Sequence, residues 1–238
     1  MQNSGTQITE SVPVLSFPCS ADRNTFYAFM DQKKLFTIGY ACFEIDAFIK
    51  VLMNFSITAV ADIRSQPYSR YKPAFSYKPL KTSLEEAGIR YLFLGDSCGA
   101  RNTDPDCYVD NRADYGLIAA SKRFREGLCR IRESLESSVT ALMCAENDPV
   151  RCHRNILVCR NLKAPDIAIK HILFPAVLEL NEQTEERLLH TLNIRQDELF
   201  AGREELLEEA YNRQGMRIAC RQKQDNLPSK QPNRFQRH

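Results

Sequence analysis

The chain reads as an α/β protein: a mainly parallel sheet of about five strands with helices on both faces, plus a C-terminal helical extension. Two observations predict this. Short apolar, partly β-branched runs recur at 35–39, 57–63, 89–94, 139–144 and 167–172, and stretches of helical periodicity separate them. Strands alternating with helices are the pattern of parallel crossovers, and such sheets take ligands beyond the carboxyl ends of their strands.

Each element follows from its residues. The first strand, 35–39, ends at Gly39. A helix follows, because Ile45, Phe48, Ile49 and Leu52 fall at i, i+3, i+4 and i+7 and form one apolar face. The second strand, 57–63, runs into Asp62 and Arg64, and Pro67 closes off regular pairing. The loop 68–77 interleaves Arg70 and Lys72 with Tyr68, Tyr71, Phe75 and Tyr77. A helix covers 78–87, with Pro79 tolerated in its first turn and Gly88 suited to its stop. The third strand, 89–94, is ended by Gly95. The polar loop 96–114 then holds Cys98, Gly99, Arg101 and Cys107, and loops of this length are usually functional or mobile. The pattern from 115 to 136 is helical, with Phe124, Leu128, Ile131 and Leu135 on one face. The fourth strand, 139–144, leads through an Asp148-Pro149 turn into a helix over 151–163. The fifth strand, 167–172, carries His171, read as a hydrogen-bonded core histidine. Residues 1–34 form a partly ordered lead-in, 35–178 the α/β domain, 179–217 the helical extension, and 218–238 a disordered tail.

Composition narrows the class. With 238 residues, 43% hydrophobic and 26% charged, the chain matches a soluble globular protein. A formal charge of +2 does not by itself argue for a nucleic-acid binder. The segment 179–210 is acidic, whereas 213–238 is basic with Asp225 as its one acid. Residues 1–11 lack the apolar core of a signal peptide, and no run approaches a membrane span. Nine cysteines in such a chain fit free thiols in a reducing cytoplasm better than a disulfide framework.

The densest chemistry lies at 142–154. Cys144, Glu146, Arg151, Cys152, His153 and Arg154 place two thiols, a carboxylate, an imidazole and two guanidiniums within eleven residues. Cys144 sits where a strand gives way to a turn and helix, so backbone N–H groups, the helix dipole and both arginines can stabilise its thiolate. A buried strand-end thiol is the equally weighted alternative. Six residues separate Cys144 from Arg151, and the intervening loop has no glycine, so the Cys-x5-Arg cradle of tyrosine phosphatases is excluded. Metal spacing is poor: Cys152 and His153, adjacent on a helix, would point about a quarter-turn apart. They and Cys144 are weak metal candidates. The Cys-x-x-Cys of thioredoxin-like proteins is missing. Arg64, Arg101, Arg151 and Arg154 are placed to hold an anion on the strand-end rim, with Asp62 as a general base or as the partner of Arg64.

The motifs also resemble a known family. Thr37-Ile38-Gly39-Tyr40, Asp62-Ile63-Arg64 with Pro67 and Ser69, and Gly88 to Tyr91 are three signatures in order. The fourth is Leu142 to Glu146 followed by Arg151-Cys152-His153-Arg154. Together they resemble the domain-of-unknown-function 488 family over about 35–171. Stretches at 197–200 and 209–214 resemble the tail of its longer members. The resemblance implies an α/β domain with a shared pocket and supplies neither substrate nor reaction. Tyr40 stands where many members carry His.

The functional expectation is an enzyme acting on a phosphate-bearing substrate, a nucleotide or nucleic acid. Cys144 is its reactive thiol, Glu146 its proton carrier and Asp62 a second-line contributor, while Arg64, Arg101, Arg151, Arg154 and Tyr40 bind substrate. Its rivals are a non-catalytic nucleic-acid-binding module and a structural metal site at the same rim. The sequence implies no membrane partner and names no cofactor or oligomeric state.

Overall fold

A computed structural model describes residues 32–194 and 202–222. Residues 1–31 of the lead-in, the stretch at 197–200 and the tail beyond 222 lie outside the described residues.

Strand β1, Lys33–Gly39, is buried on both sides over most of its length. Helix α1, Ile45–Asn54, turns Phe48 and Leu52 inward, as its spacing predicted, with Val51 buried beside them and Ile45 and Ile49 half-buried. Strand β2, Ala59–Asp62, is fully buried. Helix α2, Tyr77–Glu86, and β3, Arg90–Phe93, follow within a residue or so of their predicted bounds. The long polar loop is more structured than its composition suggested. It contains a helical turn α3, Gly95–Cys98, and a short hairpin of β4, Tyr108–Val109, and β5, Arg112–Ala113. The single helix expected over 115–136 is two, α4 at Tyr115–Ala120 and α5 at Lys122–Ser137. The break is local chemistry: Ser121 has an extended ψ, and its hydroxyl accepts the Phe124 N–H as an N-cap.

Strand β6, Thr140–Cys144, is fully buried. The helix expected after it is irregular. A 3-10 turn, Pro149–Arg151, is followed by extended Cys152, a π-turn over Arg154–Cys159, and one short turn α6, Arg160–Leu162. Strands β7, Ile167–Leu173, and β8, Val177–Leu180, precede helices α7, Asn181–Thr191, and α8, Arg203–Ile218.

The main sheet has six strands in the order β3-β2-β6-β1-β7-β8. All pairs are parallel except β7 with β8, which was not foreseen. Alternate residues of each strand go to opposite cores. Phe36, Ile38, Ala141 and Met143 meet α1 and α2 on one face, while Leu35, Leu142, Ile63 and Leu157 pack with α5 on the other. Right-handed crossovers explain the split. The chain moves one way from β1 to β3 and the other way from β6 to β7, so its connections cover opposite faces. That reversal falls between neighbouring β1 and β6, where Gly39 pairs with Cys144. A third cluster, Leu188, Leu189, Leu206 and Tyr211, seats α7 and α8 on Val150 and Ile156.

Candidate functional site

The strand ends meet at one rim. A Cβ on Gly39 would stand 1.8 Å from the Glu146 carbonyl, and one on Gly95 would stand 1.9 Å from that of Arg64. Glycine at both positions lets the loop after β6 and the β2 end close on their neighbours. The result is a cleft of about 370 Å³. Tyr40, Arg64, Arg101, Cys144, Glu146 and Arg151 all line it, as do His153, Tyr68 and Tyr115. Cys152 lies just beneath, 1% exposed.

On the cleft floor Cys144 Sγ lies 2.7 Å from Glu146 Oε2 and 3.6 Å from His153 Nδ1. Cys152 Sγ lies 3.1 Å from the same Glu146 oxygen and 4.0 Å from the same ring nitrogen. The candidate ligand atoms of Cys144, Glu146, Cys152 and His153 all fall within 4.8 Å of one another. Local backbone explains this convergence. Cys152 is extended (φ −129°, ψ 139°) and His153 is the helical residue that opens the π-turn. The quarter-turn divergence expected for adjacent helical residues therefore does not arise. On the far side of its ring, His153 Nε2 is 3.0 Å from the Ile63 carbonyl. A carbonyl only accepts, so Nε2 carries a proton, and in the neutral ring Nδ1 presents its lone pair to the sulfurs.

Electrostatics here differ from the expected thiolate at Cys144. Burial pushes the Cys144 thiol well up, and the neighbouring Cys152 and Glu146 add to the shift. Burial also raises Glu146, reinforced by Cys152. Cys152 moves the other way. Burial opposes the shift, but contact with Cys144 and the charges of Arg154 and His153 draw it well below the usual thiol range. The Arg154 backbone N–H donates to its sulfur at 3.5 Å. His153 is raised: burial resists, and Cys152 then Glu146 outweigh it.

Two expected site residues stand behind the cleft wall. Asp62 is fully buried and accepts from Arg64 Nε at 2.8 Å, Arg64 Nη2 at 2.6 Å and the Tyr91 hydroxyl at 2.7 Å. This fork fixes Arg64 with its guanidinium carbon 4.9 Å over the Tyr40 ring, and Tyr40 in turn stacks on Phe75 at 4.5 Å. Arg154 is likewise fully buried. It donates to Thr37 Oγ1 at 3.2 Å, to the Glu146 carbonyl, and to the Asn147 carbonyl at 2.8 Å. It thereby holds the loop that carries Glu146. Arg101 and Arg151 remain exposed at the mouth.

The sequence did not point to Tyr115, Ile218 or Cys220 as cleft residues. The last two arrive from the end of α8, where Cys220 donates to the Ala100 carbonyl at 3.1 Å. No local pattern marks such a long-range return.

Fold and site together define an α/β protein with a strand-end cleft built over a thiol, carboxylate and imidazole cluster. Residues 44–160 match the model of the family described as Domain of unknown function DUF488, so the resemblance holds over that stretch. Three of the four signatures fall inside it, and Thr37 to Tyr40 lies just before. No curated protein and no solved structure matches the chain. Among the described residues no helix is long and apolar enough to cross a membrane.

Proposed function

We propose that this chain is a metal-dependent enzyme acting on a phosphate-bearing substrate. The observation that carries the reading is the convergence of Cys144, Glu146, Cys152 and His153, with ligand atoms within 4.8 Å of one another. Ligands set tetrahedrally around zinc at ordinary bond lengths are about 3.5–3.8 Å apart, a spacing this cluster reaches with small adjustments. The carbonyl of Ile63 on Nε2 supports it further, since a ligating histidine nearly always donates its other N–H to such an acceptor. Two sulfurs and an imidazole favour zinc or iron over magnesium or calcium.

In this reading Cys144, Cys152 and His153 hold the ion. Glu146, the exposed member of the cluster, carries the proton. Such an ion supplies a Lewis acid and an acidified water at the cleft floor. Two thiolates neutralise a divalent ion, so attraction for an anion falls to Arg101 and Arg151 at the mouth, with Arg64 and Tyr40 deeper in. Asp62 orients Arg64, and Arg154 orients the Glu146 loop. A second reading keeps Cys144 as the nucleophile and His153 as its base, favoured by their 3.6 Å separation. The two readings compete for the same lone pairs.

Cobalt substitution separates them. The metal reading predicts an intense sulfur-to-cobalt absorption band that Cys152→Ser weakens. Lack of any such band, with Cys144 alkylated faster than free cysteine, would establish the nucleophile instead.

A further inference from the structure

The loop between β2 and α2 has a feature that the metal cluster does not explain. It is firmly anchored, yet it holds two tyrosines out in water. Ser69 is buried and bonded at both ends: its N–H donates to Ser76 Oγ at 3.1 Å, and its hydroxyl accepts the Lys72 N–H at 3.2 Å. Lys72 reaches the Phe43 carbonyl at 2.7 Å and Glu44 at 2.6 Å. Tyr77 N–H donates to the Pro67 carbonyl at 2.8 Å. Phe75 is 1% exposed, stacked under Tyr40 and edge-on to Phe48. Tyr77 packs edge-on against Tyr91 and Phe93.

The loop's aromatics therefore divide. Phe75 is buried in the core and Tyr77, 39% exposed, leans on Tyr91 and Phe93, whereas Tyr68 is 73% and Tyr71 92% exposed. Exposed Arg70 lies between the last two in sequence. Tyr68 also lines the cleft, and Tyr71 does not. The aromatic surface thus starts inside the cleft at Tyr68, and the anchored loop carries on to exposed Arg70 and Tyr71, while Arg101 and Arg151 are the exposed cations of the cleft itself.

We propose that the substrate is a single-stranded nucleic acid, one nucleotide of which enters the cleft beside Tyr68 while the adjoining nucleotide stacks on Tyr71 and meets Arg70. The proposal rests on the phosphate-bearing substrate named above and extends it to a polymer. A mononucleotide would occupy the cleft and leave Tyr71 and Arg70 unused. A duplex keeps its bases stacked on each other and gives the tyrosines no free ring face. A backbone tied down at Ser69, Lys72 and Tyr77 spares the loop's own ordering cost when bases stack on its exposed rings, and stacking of this kind binds strands with little regard to sequence.

The test uses the full chain as purified and a short fluorescent oligothymidylate, read by anisotropy. Binding is expected to weaken steeply with salt. Tyr71→Ala and Tyr68→Ala should each weaken it about tenfold, the size of one lost base stack. Arg70→Ala should flatten the salt dependence by about one phosphate contact. Tyr71 is almost wholly exposed, so its truncation leaves the fold intact. Thymidine monophosphate competing as well as the strand, with Tyr71→Ala unchanged, overturns the proposal in favour of a mononucleotide. A duplex binding as tightly as the single strand overturns it as well. Metal content measured on the same samples keeps the two claims apart. Strand binding through Tyr71 by a chain that holds no metal sinks only the metal reading. A metal-loaded chain that ignores the strand sinks only this one.

Discussion

Two polar clusters lie next to each other, one behind the cleft and one on its floor, joined through Arg154, and they are built differently. In the first, every donor meets an acceptor in one direction. Arg154 donates to Thr37 Oγ1, Thr37 to His171 Nδ1 at 2.8 Å, and His171 Nε2 to Asn181 Oδ1 at 3.3 Å. Asn181 then donates to Glu185 at 3.0 Å, where Lys163 and Tyr211 also arrive. The chain starts at a buried cation, Arg154, held by carbonyls, and ends at an anion, Glu185, paired with Lys163 at 2.7 Å. In the second cluster several groups share single partners: both sulfurs face one Glu146 oxygen, at 2.7 and 3.1 Å, and the same ring nitrogen of His153, at 3.6 and 4.0 Å. Acidic groups gathered so closely favour a cation among them, which is the reading proposed above. On the proposed reading the first cluster is architecture and the second is a receptor.

That contrast can be broken by mutation. The paired groups should support the fold, whereas the ligand set should support only what it binds. The largest loss is expected from the other fully paired group, Asp62. Asp62→Ala leaves the buried Arg64 charge uncompensated and should cost about 3–5 kcal/mol in urea unfolding, with or without added metal.

Acid sharpens the contrast next. Burial holds His171 down to about 4 from its ordinary 6.5, and the positive charge of Arg154 adds to this. Asn181 and Glu179 pull the other way, while Arg187 assists. Because the folded value is depressed, the unfolded chain takes up the proton first. Stability is complete above pH 6.5 and falls by up to about 3 kcal/mol as pH drops towards 4. Protonation also removes the acceptor that Thr37 uses. In His171→Gln this acid limb of the unfolding midpoint should flatten.

Chelation is expected to cost slightly less. At free metal one hundred times its dissociation constant, withdrawal lowers stability by about 2.7 kcal/mol. In Cys152→Ser the thermal midpoint should no longer respond to chelator. The smallest effect belongs to the mouth. Arg151→Ala should change stability by less than about 0.5 kcal/mol, since Arg151 is exposed, while weakening capture of anionic substrate.

What the sequence revealed follows the same division between local and convergent features. Strands such as 139–144 and helices such as α1 announce themselves because apolar spacing fixes which face they bury. The rim was legible too, since strand ends in a parallel sheet share one edge and so bring Tyr40, Arg64, Cys144 and Glu146 together. The local backbone after Asp148 was not legible. A regular helix was the natural reading of 151–163, and it separated Cys152 from His153. The extended Cys152 and the π-turn depend on tertiary support, from the Ile63 carbonyl and the buried Arg154 among others. The split roles of the arginines were hidden for a similar reason. Arg151 and Arg154 look alike in sequence, but only the second finds carbonyls within reach. The break at Ser121 was available in principle, because serine is a strong N-cap and Phe124 follows it at the capping distance.

The most direct test of the receptor is elemental analysis of the full chain purified without chelator. The wild type is predicted to hold about one zinc or iron per chain, with the metal lost from Cys152→Ser and His153→Ala and retained in Arg151→Ala. A folded wild type that carries no transition metal, and takes up neither ion on titration, would contradict the account.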